Sequence, residues 1–199
     1  MTQVAGRPLR ADARRNRERV LTAAREVFAE QGRDAQMDDV ARRAMVGVGT
    51  VYRHFPTKEA LIDAIAAEAF ERLLTAAQEQ LARTDDPWDS FVQTLWAGAE
   101  ILAGDRAISQ IMSETEGPIA VDMELQRRMT ETLSALLERA QRAGALRSDV
   151  ILDDVPMLMC GVGMATVKPH ICPEAWRRHL AVIVDGLRAA GASGTLPTS

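Results

Sequence analysis

Residues 36–58 read Gln36-Met37-Asp38-Asp39-Val40-Ala41-Arg42-Arg43-Ala44-Met45-Val46-Gly47-Val48-Gly49-Thr50-Val51-Tyr52-Arg53-His54-Phe55-Pro56-Thr57-Lys58. Apolar residues at helical spacing predict a short helix over residues 37–44. The pattern breaks near residues 45–47 and resumes over residues 48–54. Two short helices with a three- or four-residue turn between them are typical of a helix-turn-helix, whose second helix enters the DNA major groove.

The same residues resemble a known family. Val40 to Ala44, followed by Val46 to Leu61, closely resembles the DNA-binding segment of the TetR family of bacterial transcriptional regulators, and the match extends upstream over Arg19 to Gly32. It covers roughly the first third of the chain. The resemblance implies a sequence-specific regulator of transcription that acts as a dimer and binds a small-molecule effector.

Several residues of the second helix suit contact with DNA. Gly47 and Gly49 let the backbone approach the groove, because no side chain intervenes. Val48 can touch a thymine methyl group, and Arg53 can reach guanine O6 and N7. The hydroxyl and imidazole groups of this segment suit phosphates, and the resemblance implies similar contacts by Thr50, Tyr52, His54 and Lys58. For Tyr52 a half-buried aromatic, and for His54 a capping or packing imidazole, are alternatives.

Basic residues precede the first helix. Arg15 and Arg17 are candidates for phosphate contact or insertion into the minor groove, the alternative being an ordinary solvated N-terminus. Gln36 stands where the family usually has threonine; its amide can meet a phosphate but should cap the helix poorly. Met45 occupies the turn where the family commonly has glycine, and a left-handed backbone there would cost about 1 kcal/mol.

The charge distribution agrees with a DNA-binding head. Residues 1–58 hold 12 basic and 7 acidic residues, whereas residues 59–199 hold 12 and 21. A basic end on an acidic body suits a protein that presents one end to a polyanion. Apolar residues are 47% and charged residues 26% of the chain, as in globular proteins. We expect a cytoplasmic protein, because no signal peptide or membrane span is evident.

The remaining sequence predicts an all-α chain of about nine helices. Helix 1 is expected from Arg10 or Asp12 to Gln31, helix 4 from Thr57 to about Arg83, and helix 5 over residues 87–103. The later helices are expected over 104–113, 118–143, 154–168 and 173–191. We therefore predict a DNA-binding domain over residues 1–58, a ligand-binding and dimerisation domain over 59–191, and a disordered tail over 192–199.

Catalytic and metal chemistry is not indicated. The three histidines lack metal-ligand spacing, and no glycine-rich phosphate loop or nucleophile elbow is present. We expect no enzyme activity and no cofactor. Cys160 and Cys172 are interpreted as reduced thiols, with a redox switch as the less favoured alternative. Large adaptable side chains on helices 5 to 7 can line an effector pocket, with an ordinary core as the alternative: Trp88, Phe91, Trp96, Met112 and Met129.

The last two helices are the candidate dimer interface. In the TetR family they pair with their copies, and a dimer also follows from the need for two reading helices on a palindrome. The candidates are Leu158, Val162, Thr166, Trp176, Leu180, Ile183 and Leu187. The alternative is that these two helices only complete the core of the monomer. We therefore expect a homodimeric repressor released from its operator by a small molecule. A sequence-indifferent architectural DNA-binding protein and a helical enzyme with an incidental helix-turn-helix are the alternatives.

Overall fold

The computed structural model describes residues 7–83, 86–114, 121–167 and 174–197. Within these ranges the chain forms nine α-helices and no strand, which confirms the all-α prediction. The helices are α1 (Arg7–Gln31), α2 (Met37–Ala44), α3 (Val48–His54), α4 (Lys58–Ala82), α5 (Pro87–Gly104), α6 (Arg106–Glu114), α7 (Met123–Arg142), α8 (Asp154–Val167) and α9 (Ala175–Leu187). Short 3₁₀ turns cover Gly32–Asp34 and Ala189–Gly191.

The helices form two compact units. The first comprises Met1–Ala66 and Arg106–Ala120, and the second comprises Ala67–Asp105 and Val121–Ser199. Helix α4 contributes to both units. The first unit extends to Ala66 and includes α6, whereas the predicted DNA-binding domain ends at residue 58.

The core of the first unit is built on α1. The apolar side chains of α1 between Val20 and Phe28 are buried, and that of Phe28 is only 2% exposed. Helices α2 and α6 both pack on α1. Each fully buried Phe, Leu or Ile side chain stabilises the fold by about 1.5–3 kcal/mol. The buried set includes Val20, Ala24, Val27, Phe28, Val40, Val51, Phe55, Leu61, Ile65, Ile108 and Ile111.

The second unit has a core of its own, which is rich in aromatic residues. The rings of Trp96 and Trp176 lie 6.0 Å apart at a tilt of 57°, in the range favoured by aromatic pairs. The α7 residue Arg139 donates hydrogen bonds of 3.1 Å to the carbonyls of Leu81 and Arg83 and so satisfies the end of α4. The buried set includes Trp88, Phe91, Leu95, Leu136, Leu137, Val162, Trp176, Leu180 and Leu187.

Some predicted helix boundaries were wrong. Helix α1 begins at Arg7, earlier than expected. Helix α7 begins at Met123 rather than near residue 118, because the Asp122 carboxylate caps it by accepting from the amides of Glu124 and Leu125. Helix α9 begins at Ala175 and ends at Leu187, so Pro173 is not its first residue and Gly191 is not its end. Pro173 itself lies outside the described residues.

The loop after α7 holds the end of the chain. Arg147 forms a bidentate ion pair with Asp149, at 2.6 and 2.8 Å, and donates to the carbonyl of Gly194 at 2.7 Å. The amide of Leu196 donates to the Asp149 carboxylate at 2.8 Å. We call Arg147, Asp149, Gly194 and Leu196 the tail clasp. Residues 192–197, expected to be disordered, thus carry defined hydrogen bonds.

The tail clasp is expected to open in acid. The hydrogen bonds from Arg147 and from the Leu196 amide hold the pKa of Asp149 far below its usual value of 3.8. A lowered pKa stabilises the folded state above the usual value, and this stabilisation is lost as pH falls toward the lowered pKa. The melting temperature of the wild type should therefore exceed that of Asp149→Asn by a constant amount above about pH 5. This difference should narrow below about pH 4.

The control for this measurement is Asp153→Asn, which removes an exposed carboxylate from the same loop. Near neutral pH its melting temperature should lie much closer to that of the wild type than the melting temperature of Asp149→Asn does. A difference between wild type and Asp149→Asn that stays unchanged between neutral pH and pH 3 would contradict the assignment of the charge to the tail clasp.

Candidate DNA-binding surface

The α2–α3 connection is a tight turn held by the backbone. The amide of Met45 bonds to the carbonyl of Arg42 at 3.2 Å, and the amide of Val46 bonds to the carbonyl of Ala41 at 3.0 Å. This pair of bonds is the Schellman motif that ends many helices. Met45 has φ 54° and ψ 44°, so the turn keeps the left-handed conformation with methionine in place of glycine. The short turn therefore fixes α3 directly after α2.

Helix α3 presents one continuous exposed arc. Successive residues turn by about 100° around a helix, so Val48, Gly49, Tyr52 and Arg53 share one side. All four are exposed, including 41% of Val48 and 47% of Tyr52. Thr50 and His54 flank the arc and are half-buried. A Cβ atom added at Gly47 or Gly49 would meet no atom within 4 Å, so the backbone there is open to a ligand. We call Val48, Gly49, Tyr52 and Arg53 the reading face.

The opposite side of α3 is anchored. Val51 is completely buried, and Phe55, directly after the helix, is 3% exposed. The next helix begins at once, because the Thr57 hydroxyl accepts from the amide of Ala60 at 3.0 Å, as expected for an N-cap. Because the side of α3 opposite the reading face is buried, the reading face is held rigidly.

The other predicted contact residues take different positions. Arg17 lies over the Phe55 ring at 5.3 Å, and Lys58 lies over the Phe28 ring at 5.7 Å. A buried aromatic ring therefore holds each cation close to the helix-turn-helix. Arg15 is exposed and forms an ion pair with Asp12. Gln36 makes no cap to α2, as expected, and its amide donates to the carbonyl of Asp34 at 2.8 Å.

Two arginines that hold α2 were not identified from sequence. Arg43 bonds to Glu30 at 2.7 Å and to Glu26 at 2.9 Å, and the guanidinium lowers the pKa of Glu30. Arg19 donates to the carbonyl of Ala44 at 2.7 Å. Both contacts join α1 to α2 and link residues at least 13 positions apart in the sequence. The spacing of residues within either helix does not predict such contacts. They fix the helix that precedes the reading face.

The expected effector residues lie in different parts of the molecule. Trp88 and Phe91 lie in the core of the second unit, with Trp96 partly buried against it, and Met129 is half-buried. Met112 lies on α6 in the first unit, and its side chain is outside the described residues. A surface cleft of about 340 Å³ lies elsewhere, in the first unit, lined by Val27, Gln31, Asp39, Arg42 and Arg43.

The expected dimer residues mostly face inward. Val162, Trp176, Leu180 and Leu187 are buried in the core of their own unit, at 6% exposure or less, and are therefore corrected as surface candidates. Leu158 and Ile183 are partly buried against that core, and the side chain of Thr166 is outside the described residues. The exposed apolar side chains of α8 and α9 are instead Met157 at 74%, Met164 at 39% and Val182 at 72%.

Other kinds of site are not evident in the described part of the chain. No group of three His, Cys, Asp or Glu residues there could hold a metal ion. No described helix is long and apolar enough to span a membrane. Cys160 is exposed and unpaired by any disulfide, and Cys172 lies outside the described residues.

Helix α3 is short, exposes one side and follows α2 directly after a tight turn. This arrangement defines a DNA-binding transcriptional regulator of the helix-turn-helix class. Comparison with family models agrees: residues 20–65 match "Bacterial regulatory proteins, tetR family", and residues 85–189 match "Transcriptional regulator SbtR-like, C-terminal domain". The chain belongs to the TetR family of transcriptional regulators, which are not enzymes.

Individual relatives support this assignment. The HTH-type transcriptional regulator UidR of Escherichia coli K12 is 31% identical over 147 residues, which cover 71% of this chain and 74% of UidR. A solved TetR transcription regulatory protein from Mycobacterium vanbaalenii is 36% identical with a TM-score of 0.56, over 91% of this chain and 99% of that one. A structure solved to explain control of antibiotic production by bacterial hormones is 27% identical with a TM-score of 0.66, over 88% and 98%.

Proposed function

We propose that the protein is a homodimeric repressor that binds a palindromic operator through α3 and is released by a small-molecule effector. The observation that carries the proposal is the reading face. Arg53, Val48 and Tyr52 lie together on one exposed side of α3, whose other side is buried. Arg and Val reach base edges, whereas hydroxyl groups position the helix on phosphates.

A dimer supplies the specificity that one reading face lacks. Four exposed residues contact only a few base pairs, and two copies about 34–36 Å apart read successive major grooves. Met157, Met164 and Val182 supply exposed apolar surface on α8 and α9, the helices that pair in this family. We call these three residues the dimer patch. Apolar side chains at the centre of an interface contribute most of its stability.

The effector is assigned to the second unit. Most of the residues that match a regulator C-terminal domain, 85–189, lie in that unit, and effector-controlled release is typical of the family. One structural relative was solved to explain control by a bacterial hormone. Release requires that the effector bind the DNA-free state more tightly than the DNA-bound state, because a ligand shifts an equilibrium only through differential affinity.

Selection of bound duplexes from a random-sequence DNA pool tests the proposal. The purified protein should enrich a palindrome whose half-sites are about one helical turn apart. A genome-wide binding map should then place that palindrome near particular promoters, and the neighbouring genes would suggest the effector. Binding without any enriched sequence would contradict the proposal and favour an architectural DNA-binding protein.

Arg53→Ala should relax sequence preference at one base pair. Arg53 is exposed on the reading face and is long enough to bond a guanine in a bidentate manner. Its loss should reduce discrimination at that position by about 1–3 kcal/mol. The measurement is a binding titration against the selected duplex and its single-base variants.

Tyr52→Phe is the matched control on the same face. Removing a hydroxyl that contacts a phosphate should weaken binding to all duplexes similarly and leave their ranking unchanged. If Arg53→Ala also weakened every duplex equally, the assignment of Arg53 to a base would be wrong.

A further inference from the structure

The turn before the reading face contains a strained residue. Among the described residues, Met45 is the one non-glycine residue with positive φ. The left-handed conformation brings Cβ close to the following carbonyl and is therefore less favourable for methionine than for glycine. The Met45 side chain is 81% exposed, so packing of that side chain does not offset the strain. The two backbone hydrogen bonds of the turn oppose this strain, and a contact to the turn carbonyls would add to them.

The turn carbonyls receive such a contact from α1. An Nη atom of Arg19 lies 2.7 Å from the carbonyl of Ala44 and 3.4 Å from that of Met45. These carbonyls lie at the C-terminal end of α2, where the last carbonyls of a helix lack helical partners and the helix dipole is negative. A guanidinium there both donates hydrogen bonds and neutralises the dipole.

Arg19 is well placed to hold this position. The next two residues on α1, Val20 and Leu21, are 0% and 2% exposed, so the backbone that carries Arg19 is fixed in the core of the first unit. Arg17, two residues earlier, is engaged with the Phe55 ring. The basic residues of α1 therefore have different roles, and the guanidinium of Arg19 points at protein carbonyls.

We infer that Arg19 is a positioning residue for DNA recognition, which clamps the α2–α3 turn in its left-handed conformation and thereby sets the angle of the reading face. The inference rests on the DNA binding stated under the proposed function, but not on the dimer or the effector. Arg19 then has a different role from the arginines that contact phosphate. It is needed because position 45 is a methionine.

The test compares Arg19→Gln, Met45→Gly and the double variant on a duplex selected by the wild type from a random pool. Arg19→Gln should weaken binding about tenfold, equivalent to loss of a charge-assisted hydrogen bond. Met45→Gly relieves the strain, so the double variant should recover to within about threefold of Met45→Gly alone. Amide NMR shifts of residues 46–55 should move in Arg19→Gln and return in the double variant.

Salt dependence separates positioning from direct contact. Loss of one phosphate contact reduces the slope of log K against log salt by about 0.9. We expect the slope of Arg19→Gln to match that of Arg14→Gln, the control, which removes the same charge from an exposed site facing Glu18. A slope lower than that of Arg14→Gln by about one, with no rescue by Met45→Gly, would overturn the inference.

Other outcomes are also decisive. Unchanged binding by Arg19→Gln to a duplex that the wild type selects would overturn the inference alone. Failure of the wild type to enrich any duplex would overturn the proposed function instead. If Arg19→Gln loses helix content on its own, the double variant decides: recovery of both fold and binding supports the clamp, and recovery of neither contradicts it.

Discussion

Val182→Asp is expected to yield a monomer whose affinity for the selected palindrome is lower by about 10²–10⁴-fold. Val182 lies in the dimer patch and is 72% exposed in the single chain. A carboxylate there meets the partner's apolar surface, since a two-fold interface brings the same patch together from both subunits. Without the dimer, the second half-site loses the effective concentration supplied by the first.

The fold of each subunit should survive this change. Val182 points away from the core, whereas its neighbours on α9, Leu180 and Val184, are buried and keep the helix in place. An exposed substitution away from special contacts usually changes the free energy of unfolding by less than about 0.5 kcal/mol. The measurements are sedimentation for the oligomeric state, circular dichroism for helix content and a titration with the palindrome.

Met123→Glu provides the matched control for the dimer patch. Met123 is 84% exposed but lies at the start of α7, away from α8 and α9 in sequence. This variant should remain a dimer and bind the palindrome like the wild type. A dimeric Val182→Asp with full operator affinity would show that α8 and α9 associate through another surface, or that the chain binds DNA without them.

Phe28→Ala should have the largest effect on stability. Phe28 is 2% exposed at the centre of the first unit, with the Lys58 ammonium 5.7 Å from its ring. Truncation of a buried phenylalanine typically costs about 3–5 kcal/mol, because the cavity it leaves collapses only partly. That is a large share of the total stability of a domain, about 5–15 kcal/mol. We therefore expect the first unit to unfold at much lower urea and DNA binding to be lost.

Spectroscopy can follow the two units separately. The described tryptophans, Trp88, Trp96 and Trp176, all lie in the second unit. Loss of the first unit should therefore appear as an early phase in circular dichroism without a matching change in tryptophan fluorescence. Val48→Ala, on the reading face, should weaken DNA binding but leave this transition unchanged. An unaltered circular dichroism transition in Phe28→Ala would contradict the assignment of Phe28 to the core.

The helix-turn-helix could be predicted from sequence because its signals are local. Both α2 and α3 have the expected bounds, Met45 lies in the turn between them, and Thr57 caps the next helix. Each of these features depends on residues that lie close together in the sequence, within about one helical turn. The errors near residues 118 and 173 arose because proline permits a helix to begin but does not require it, whereas the Asp122 carboxylate fixes the start of α7.

The dimer patch could not be predicted for a different reason. Helix α8 has apolar residues on all sides, so periodicity cannot show which of them another element covers. Met157 and Val162 are equally apolar in sequence, yet the first is 74% exposed and the second fully buried. The role of Arg19 was missed because its partners lie 25 and 26 residues away. Contacts at such separation depend on the tertiary fold.

The packing of α6 on α1 has a practical consequence for dissecting the molecule. The polypeptide enters the first unit twice, so its DNA-binding part is not one contiguous fragment. A peptide ending near residue 66 would lack Ile108 and Ile111, which are 2% and 4% exposed in the intact chain. It would leave the apolar side of α1 open to water and prone to association. An excised head therefore needs the α6 sequence grafted back, or the full-length chain must be used.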